Sequence, residues 1–358
     1  MKKTIAVLFG GSSSEHEVSC LSAATIIENL APEKYDVRAV GITREGQWLL
    51  YEGPVEAIRS GAWASHPACR RACLSPDTAT HGLVAAGKDG RLETVRLDCV
   101  IPAVHGKNAE DGTLQGLLHL SGVPYAGCPT LASACCMDKA VTHTLLASWG
   151  VKQAHFLWFY AENYRGAGRD KIRTKIDARL GWPIFLKPAN AGSSVGISKV
   201  RDAGGLDAAV ALAAQNDCKI VVEEAVVGQE VECAVLGNER PQASPVGEIA
   251  AGAEFYDYDD KYKNGKSQLY IPAHIEEPVA EEIRRTACRA YRLLGCTGLA
   301  RVDFFVRNGK EVLLNELNTL PGFTAISMYP KLWEAAGKPV PALLDELISL
   351  AEKRERYI

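Results

Sequence analysis

The chain has 358 residues, of which 47% are hydrophobic and 23% are charged, and its formal net charge is −3. This length exceeds one ordinary hydrophobic core and predicts two or three domains of a soluble globular protein. The small net charge argues against nucleic acid or an anionic membrane as a partner, and the absence of an apolar run of about 18 residues predicts no membrane span.

The N-terminus and the cysteines bear on the compartment in which the protein works. Two lysines precede the apolar run at residues 5–9, but the run is short and ends at Gly10 and Gly11. We interpret it as a first β-strand rather than a signal peptide. The 11 cysteines are scattered and lack the spacing of zinc ligands. We interpret them as reduced, mostly buried side chains of a cytoplasmic protein.

Residues 1–133 alternate short apolar strands with helical stretches. Apolar runs at 4–10, 35–43 and 97–106 predict three strands. Strands joined by helices predict a parallel sheet, with binding loops at the carboxyl ends of its strands. No element is predicted between residues 52 and 96.

Two further segments complete the predicted organisation. Residues 134–220 begin with a helix and continue with a strand, a glycine–serine loop, a strand and a second helix. Residues 221–358 are predicted to open on two strands around a turn, followed by a polar aromatic loop, a helix, a β-hairpin and C-terminal helices. The sequence thus divides into domains at 1–133, 134–220 and 221–358.

The β-hairpin of the third segment carries the strongest chemical signal. The Asn-Gly dipeptide at 308–309 is a preferred two-residue hairpin turn. A hairpin centred there places Asp303 opposite Leu314 and diagonal to Glu316. Because residues two apart in a strand share a face, Glu316 and Asn318 point the same way.

Asp303, Glu316 and Asn318 would then bring three oxygen-bearing side chains to one face of two adjacent strands. Hard divalent cations such as Mg²⁺ prefer ligands of this kind, together with phosphate oxygens and water. Arg301 falls on the same face, where it could bind an anion. The alternative is an exposed polar strand face, but the flanking residues are apolar and favour a metal site beside a core.

A second signal is Lys187, at the end of a predicted strand and before the glycine–serine loop at 191–196. A lysine supplies a compact positive charge for phosphate, and the loop offers backbone N–H groups and hydroxyls. The pattern is neither the P-loop nor the dinucleotide-binding fingerprint. An ordinary hairpin turn is the alternative interpretation of the loop.

Two loops that follow predicted strands carry further polar residues. Ser14 and Glu17 fit an S-x-x-E capping box, and we favour an ordinary helix cap for Glu17. Glu15 either belongs to the same helix start or binds a substrate ammonium. The cluster from His105 to Gly112 lies where polar residues meet ligands in α/β folds, although its single members could be caps.

Seven motifs, in this order and spacing, resemble the D-alanine–D-alanine ligase family, a branch of the ATP-grasp superfamily. They are GGSSSEHEVS at 10–19, HGKNAEDGTLQG at 105–116, MDK at 137–139, FLKPANAGSSVGISKV at 185–200, FYDYDDKY at 255–262, RVDFF at 301–305 and NELNTLPGFTAISMYP at 315–330. The resemblance extends over nearly the whole chain and is specific because all seven motifs occur together.

The resemblance implies an α/β ATP-grasp fold, in which a Rossmann-like parallel-sheet domain precedes central and C-terminal α+β domains that clasp ATP. It also implies two Mg²⁺ ions, with Mn²⁺ as a substitute, held by Asp303, Glu316 and Asn318. The residues that would contact ATP are Lys139, Lys187, the loop residues Ser193, Ser194, Val195 and Gly196, and Glu223, Glu224, Val226, Glu230 and Lys261.

The same resemblance assigns roles in substrate binding. Glu15, Ser193 and Tyr262 would form a hydrogen-bonded group that fixes the first D-alanine and a mobile loop. Arg301 and the Gly322 amide would stabilise an oxyanion. The remaining substrate contacts would come from His105, Tyr256, Ser327 and Met328, with Ser327 on the second carboxylate.

The implied reaction converts a D-alanine carboxylate into an acyl phosphate, which the amine of a second D-alanine attacks, for synthesis of a peptidoglycan precursor. The resemblance further implies a homodimer. Ala109 and Ala325 stand where the family usually has glycine and serine. Alternatives are a D-Ala–D-Ser ligase, a D-lactate ligase and a non-catalytic nucleotide or D-amino-acid sensor. Met328 favours D-alanine over D-serine as the acceptor, and the metal ligands and both lysines argue against the sensor.

Overall fold

The computed structural model describes residues 2–87, 89–192, 194–250 and 268–354. Its strands form three sheets of seven, four and five strands. None of the helices in these ranges combines the length and the apolar character needed to cross a lipid bilayer. The α/β fold class predicted from the sequence is confirmed, and the sheets differ from the prediction in two respects.

The residues as far as 148 form the first sheet, the helices packed on it, and two helices, α4 and α5, that lead to the other sheets. These elements are β1 (Lys3–Gly10), α1 (His16–Asn29), β2 (Tyr35–Ile42), β3 (Trp48–Tyr51), α2 (Val55–Arg59), β4 (Cys69–Leu74), β5 (Gly82–Ala86), β6 (Leu92–Arg96), β7 (Cys99–Pro102), α3 (Thr113–Ser121), α4 (Thr130–Met137) and α5 (Lys139–Ser148).

This first sheet is mixed rather than parallel throughout. β1 pairs in parallel with β2 and β7, whereas β2 to β6 continue the sheet with antiparallel pairs. The predicted parallel sheet is therefore right for three strands only. Residues 52–96, for which the sequence predicted no element, supply β4, β5 and β6. They escaped prediction because β4 and β6 are short and rich in polar residues and β5 has only five residues.

The second sheet is built from residues 156–224. Its elements are β8 (Phe156–Tyr160), α6 (Ala167–Arg179), β9 (Ile184–Pro188), β10 (Ser198–Val200), α7 (Leu206–Ala214) and β11 (Lys219–Glu224). β9 and β10 form the predicted hairpin around the glycine–serine loop. β11 pairs with β8 and β9, whereas the next strand along the chain belongs to the third sheet. The predicted boundary at 220 falls inside β11, and the chain leaves this sheet only after Glu224.

The third sheet carries the metal-site hairpin. Its elements are β12 (Gly228–Leu236), β13 (Gln242–Ala250), β14 (Gln268–Tyr270), α8 (Glu277–Leu293), β15 (Leu299–Arg307), β16 (Glu311–Asn318), α9 (Met328–Ala335) and α10 (Val340–Arg354). Pro278 lies in the first turn of α8, where a missing backbone N–H costs nothing. Ile283, Ala287 and Ala290 repeat at helical spacing and are fully buried, so α8 covers one face of the sheet.

The last helix closes the first sheet. Leu343, Leu347 and Ile348 of α10 share one buried apolar cluster with Ile5 and Ile26. At the end of α10, the buried Arg354 guanidinium donates to the carbonyl oxygens of Tyr125 and Gly127. Segments at opposite ends of the chain therefore form a single core.

Candidate active site

The β15–β16 hairpin brings the predicted metal ligands together. Asp303 lies directly opposite Glu316, and Arg301 lies opposite Asn318. The predicted partner of Asp303, Leu314, was wrong by two residues. One residue of this two-residue error arises in the turn of the hairpin. Arg307 pairs with Glu311, so the turn has three residues instead of the predicted two.

The second residue of that shift comes from a β-bulge. Phe304 pairs with Leu314 while Asp303 pairs with Glu316, which leaves Asn315 as the extra residue. A bulge re-aims the side chains around it, and here it sets two carboxylates side by side. The pairing is closer than the diagonal arrangement predicted from the sequence.

Arg301 is held between two carboxylates. Its Nε and Nη2 atoms donate to the two Asp303 oxygens at 2.8 and 2.7 Å, and Nε lies 3.0 Å from Glu232 Oε2. Burial alone lowers the pKa of this guanidinium, but Asp303 and Glu232 outweigh it and raise the pKa well above the ordinary value. Arg301 is therefore a fixed positive charge beside the predicted metal ligands.

The donor set fits a hard divalent cation. Asp303 and Glu316 offer carboxylates, and Asn318 offers an amide oxygen that also accepts from the Leu320 N–H at 3.1 Å. Oxygen donors of this type suit Mg²⁺. Within the described ranges no group of three or more His, Cys, Asp or Glu side chains is arranged to hold a metal, so the amide is needed to complete the set.

A cavity of about 650 Å³ lies between the second and third sheets. Lys187 contributes to it from β9, and its Nζ atom lies 2.7 Å from Glu223 Oε1. Burial alone would raise the pKa of Glu223, but Lys187 and His143 lower it to about 2. Predicted ATP contacts that line this cavity are Lys139, Lys187, Ser194, Glu223, Glu224, Val226 and Glu230.

The loop between β9 and β10 has a constrained backbone. Ser194 and Gly196 both have positive φ angles, of 60° and 74°. A Cβ atom on Gly196 would lie 2.7 Å from Asn216 Nδ2 and 3.0 Å from Pro188 Cγ, so this position requires glycine. Val195, between them, is 39% exposed. The loop is thus a shaped turn that leads from Lys187 over the cavity.

A smaller cavity of about 130 Å³ adjoins the first. Lys139 and Glu316 line both cavities, and Lys139 Nζ lies 3.5 Å from Glu316 Oε2. The other predicted residues on its walls are Glu15, His105, Arg301, Asn318, Gly322, Ser327 and Met328. The structure therefore brings these substrate candidates together with Glu316 and Asn318 at the small cavity, whereas Asp303 lines the larger one.

The first sheet supplies one wall of the small cavity through Glu15 and Glu110. A Cβ atom on Gly106 would lie 2.8 Å from Glu15 Oε2, so the absent side chain admits this carboxylate. The Gly106 N–H donates to Glu110 Oε2 at 3.0 Å. Burial, and then the Glu15 charge, raise the pKa of Glu110 to about 8. Glu110 was not singled out from the sequence, although it lies inside the motif at 105–116.

His105 is fixed in one tautomer by its partners. Its Nδ1 donates to the Leu320 carbonyl at 3.0 Å, and Ser22 Oγ lies 3.3 Å from its Nε2. Ser22 in turn accepts from the Phe323 N–H at 3.1 Å. Burial lowers the pKa of His105, which favours the neutral ring.

The turn before α9 contains three of the predicted substrate-site residues, Gly322, Ser327 and Met328. Ser327 Oγ accepts from the Thr324 N–H at 3.0 Å, and a Cβ on Gly322 would approach the same oxygen to 2.9 Å. Met328 begins α9 and packs against Gly247. Ala325 is exposed and does not line the small cavity.

Two positions in the loops differ from what the sequence indicated. α1 begins at His16 with Glu15 as its N-cap and no side-chain cap, so the capping box was wrong. Glu17 instead forms an ion pair with Arg44. Ala109, which stands where the family usually has glycine, does not have a positive φ angle; that angle, of 66°, falls on the preceding Asn108.

Four predicted site residues lie outside the described ranges: Ser193, Tyr256, Lys261 and Tyr262. Their roles stay predictions. Two buried residues escaped the sequence analysis altogether. Glu232 could have been found from the alternation of β12, where it faces Asp303 across the pairing with β15; His143 gave no signal, since a lone histidine on a helix is uninformative.

Comparison with known proteins identifies the family. The models described as D-ala D-ala ligase N-terminus and C-terminus match residues 4–128 and 145–349. The chain belongs to the D-alanine–D-alanine ligase family. The family prediction made from the seven motifs is confirmed, and with it an ATP-using ligase.

Individual proteins similar to this chain support its membership in the family. The D-alanine–D-alanine ligase of Caldicellulosiruptor bescii is 48% identical over 99% of this chain and 96% of its own length. The solved D-Ala:D-Ser ligase VanG of Enterococcus faecalis has a TM-score of 0.89 and 39% identity, covering 98% of this chain and 100% of its own. The D-alanine–D-alanine ligase from Coxiella burnetii has a TM-score of 0.86 and 36% identity, covering 99% and 97%.

Proposed function

We propose that this protein joins two D-alanines to D-alanyl-D-alanine, with ATP converted to ADP, for the synthesis of peptidoglycan precursors. The observation that carries the proposal is the border between the two cavities. Lys139 and Glu316 line both, so a nucleotide in the larger cavity would present its terminal phosphate to a small substrate in the other. A cavity of about 130 Å³ suits amino acids as small as alanine.

The side chains of the small cavity account for both halves of the reaction. Glu15 would bind the ammonium of the first D-alanine, whose carboxylate attacks the γ-phosphate to give an acyl phosphate and ADP. The amine of the second D-alanine then attacks the acyl carbon, and inorganic phosphate leaves. Arg301 and the Gly322 N–H would stabilise the intervening oxyanion, because fixed charges and dipoles act strongly in a site from which water is excluded.

We further propose that Asp303, Glu316 and Asn318 hold two Mg²⁺ ions, with Mn²⁺ as a substitute. When bound, the metal would neutralise negative charge on the phosphates. Lys139 and Lys187 would add positive charge from the side of the second sheet. The roles of Ser193, Tyr256, Lys261 and Tyr262 rest on the resemblance alone.

A D-Ala–D-Ser ligase is the second candidate, because VanG of Enterococcus faecalis is a D-Ala:D-Ser ligase with a TM-score of 0.89 to this chain. Met328, at the small cavity, offers a thioether and no strong donor for a serine hydroxyl. An apolar pocket rejects an added hydroxyl by roughly a hundredfold at best, which still favours D-alanine. D-Lactate lacks the amine altogether.

The decisive experiment supplies ATP and an equimolar mixture of D-alanine, D-serine and D-lactate near neutral pH, and identifies the product by mass. We expect D-alanyl-D-alanine as the main product. Predominance of D-alanyl-D-serine would overturn the choice of acceptor and leave the acyl-phosphate chemistry intact. ADP release that does not depend on any D-amino acid would overturn the ligase proposal itself.

The state of the protein in the cell is proposed on the resemblance alone. We propose a cytoplasmic homodimer that binds small molecules and neither nucleic acid nor membrane. Sedimentation of the purified chain at micromolar concentration tests the oligomer, with a species of twice 38.6 kDa expected.

A further inference from the structure

Glu223, on β11, contacts two basic side chains through the same oxygen atom. Its Oε1 lies 2.7 Å from Lys187 Nζ and 2.8 Å from His143 Nε2, and all three side chains are buried. The carboxylate is ionised, as its neighbours require, and an ionised carboxylate can only accept hydrogen bonds. His143 Nε2 must therefore carry a hydrogen.

The other ring nitrogen of His143 faces Gln153, whose amide orientation is fixed by a second contact. Gln153 Nε2 donates to the His143 carbonyl oxygen at 3.0 Å, and a carbonyl can only accept. The amide oxygen is thus the atom that lies 2.6 Å from His143 Nδ1. Because that oxygen is also an acceptor, Nδ1 carries a hydrogen as well.

The backbone that carries Gln153 is fixed to the third sheet. Gln153 forms a parallel bridge with Leu314 of β16, and the Leu314 N–H donates to the Lys152 carbonyl at 2.9 Å. The acceptor for His143 Nδ1 is therefore anchored to the strand that bears Glu316. Phe156 covers the imidazole, with ring centres 4.8 Å apart.

A ring that donates from both nitrogens is an imidazolium with a full positive charge. Without it, the buried charges of Lys187 and Glu223 would cancel. With it, Glu223 is shared between two cations and the group of three keeps a net positive charge. Charges interact strongly at such short range in a site removed from bulk water.

We infer that His143 is a positioning residue in its doubly protonated form, which balances Glu223 so that the Lys187 ammonium stays available to a phosphate of ATP. This inference rests on the proposed function, since it assigns a task to Lys187 in nucleotide binding. His143 lines neither of the two cavities, so it would act on ATP through Glu223 and Lys187.

The protonation state can be observed directly by nitrogen-15 NMR of the histidine side chains in the whole protein at pH 7, with signals assigned through His143→Gln and His105→Gln. We expect both ring nitrogens of His143 at the shifts of protonated nitrogen. His105, whose burial favours the neutral ring, serves as the internal reference with one unprotonated nitrogen. One unprotonated nitrogen on His143 would overturn the inference.

Kinetics tests the task assigned to that charge. His143→Gln keeps a hydrogen-bond donor but loses the charge, and we expect it to raise KM for ATP roughly tenfold, as for loss of a charge-assisted contact, without changing KM for D-alanine. His143→Lys restores a cation and should recover much of the loss. The matched control is His119→Gln, the same substitution at an exposed position of α3.

These two measurements separate the inference from the proposed function. An unchanged KM for ATP in His143→Gln would overturn the role of the charge. If the wild-type enzyme forms no D-alanyl dipeptide, the proposed function fails, and binding of ADP to wild type and His143→Gln, measured by calorimetry, still tests the link to Lys187. Equal affinities for ADP in the two proteins would count against it.

Discussion

The hairpins β9–β10 and β15–β16 border the same cavity, yet they present polar groups to it in different ways. In β15–β16 the groups are side chains on paired strands, with Asp303 opposite Glu316. In β9–β10, Lys187 stands on the first strand and Lys199 on the second, and the connecting loop contains Ser194 and Gly196 with positive φ angles. Side chains on a strand alternate between its two faces, so the sequence predicts which of them share a face. The shape of the loop depends on backbone angles, which its residue types indicate only weakly.

We expect the largest losses of activity from substitutions of the carboxylates on β15 and β16. Asp303→Ala or Glu316→Ala removes a ligand of the proposed Mg²⁺ site, and we expect ligation to fall by about a thousandfold, as when a transition-state charge loses its stabilising partner. ADP release at saturating magnesium measures the loss, and circular dichroism checks the fold.

A matched control lies at the other end of β16. Glu311→Ala removes a carboxylate that pairs with Arg307 at the surface, and exposed pairs contribute little. Activity should stay near wild type. Turnover close to normal in Glu316→Ala would show that the side-by-side carboxylates serve some other purpose.

Lys187→Met tests the strand position of the other hairpin. The substitution removes the ammonium proposed to meet phosphate, and we expect kcat/KM for ATP to fall by roughly a hundredfold, the upper range for a hydrogen bond to a charged group. Steady-state kinetics at varied ATP gives the value. Lys171→Met, an exposed lysine on α6, is the control, and an equal effect in both variants would contradict the assignment.

The loop itself should be less sensitive than the strand positions. Gly196→Ala places a Cβ 2.7 Å from Asn216 Nδ2 in a backbone with φ of 74°, so the loop must shift. We expect the free energy of unfolding to drop by about 1–3 kcal/mol and KM for ATP to rise. Gly116→Ala, on α3 with no atom within 4 Å of the new Cβ, should stabilise the protein slightly. Urea unfolding of both variants makes the comparison.

The last prediction concerns pH and stability. The pKa of Glu110 is raised by burial and by Glu15 from 4.5 to about 8, so folding favours its protonated form. This contribution is fully present below pH 4.5 and is lost as the pH rises toward 8. Glu110→Gln should reduce the decline in unfolding free energy between pH 5 and pH 8, measured by urea titration. A decline as steep as that of the wild type would show that Glu110 is ionised in the fold.

The sequence predicted more of the metal hairpin than of any other region. Alternation placed Asp303, Glu316 and Asn318 on a shared surface, but it could not reveal the three-residue connection or the bulge at Asn315, because both depend on local backbone geometry. In the first sheet, the parallel strands β1, β2 and β7 are apolar runs and were predicted, whereas the short strands between 52 and 96 gain their pairing only from neighbours in the folded chain.

Residues that act through tertiary contacts were the hardest to predict. The pKa of Glu110 is raised by burial and by Glu15, which lies on another loop of the first sheet, and His143 contacts Glu223, 80 residues away in sequence. β11 and β12 follow each other in sequence but join different sheets. Local periodicity carries no information about such long-range choices.

The packing of α10 on the first sheet has a consequence for how the protein is made. β1 and α1 are synthesised long before α10, but the apolar face they share is covered by Leu343, Leu347 and Ile348 of that helix, and Arg354 reaches Tyr125 across 229 residues of sequence. On the ribosome this face stays open to water until α10 emerges. The nascent N-terminal half is therefore a natural client for chaperones, and a fragment ending near residue 133 should aggregate when expressed alone.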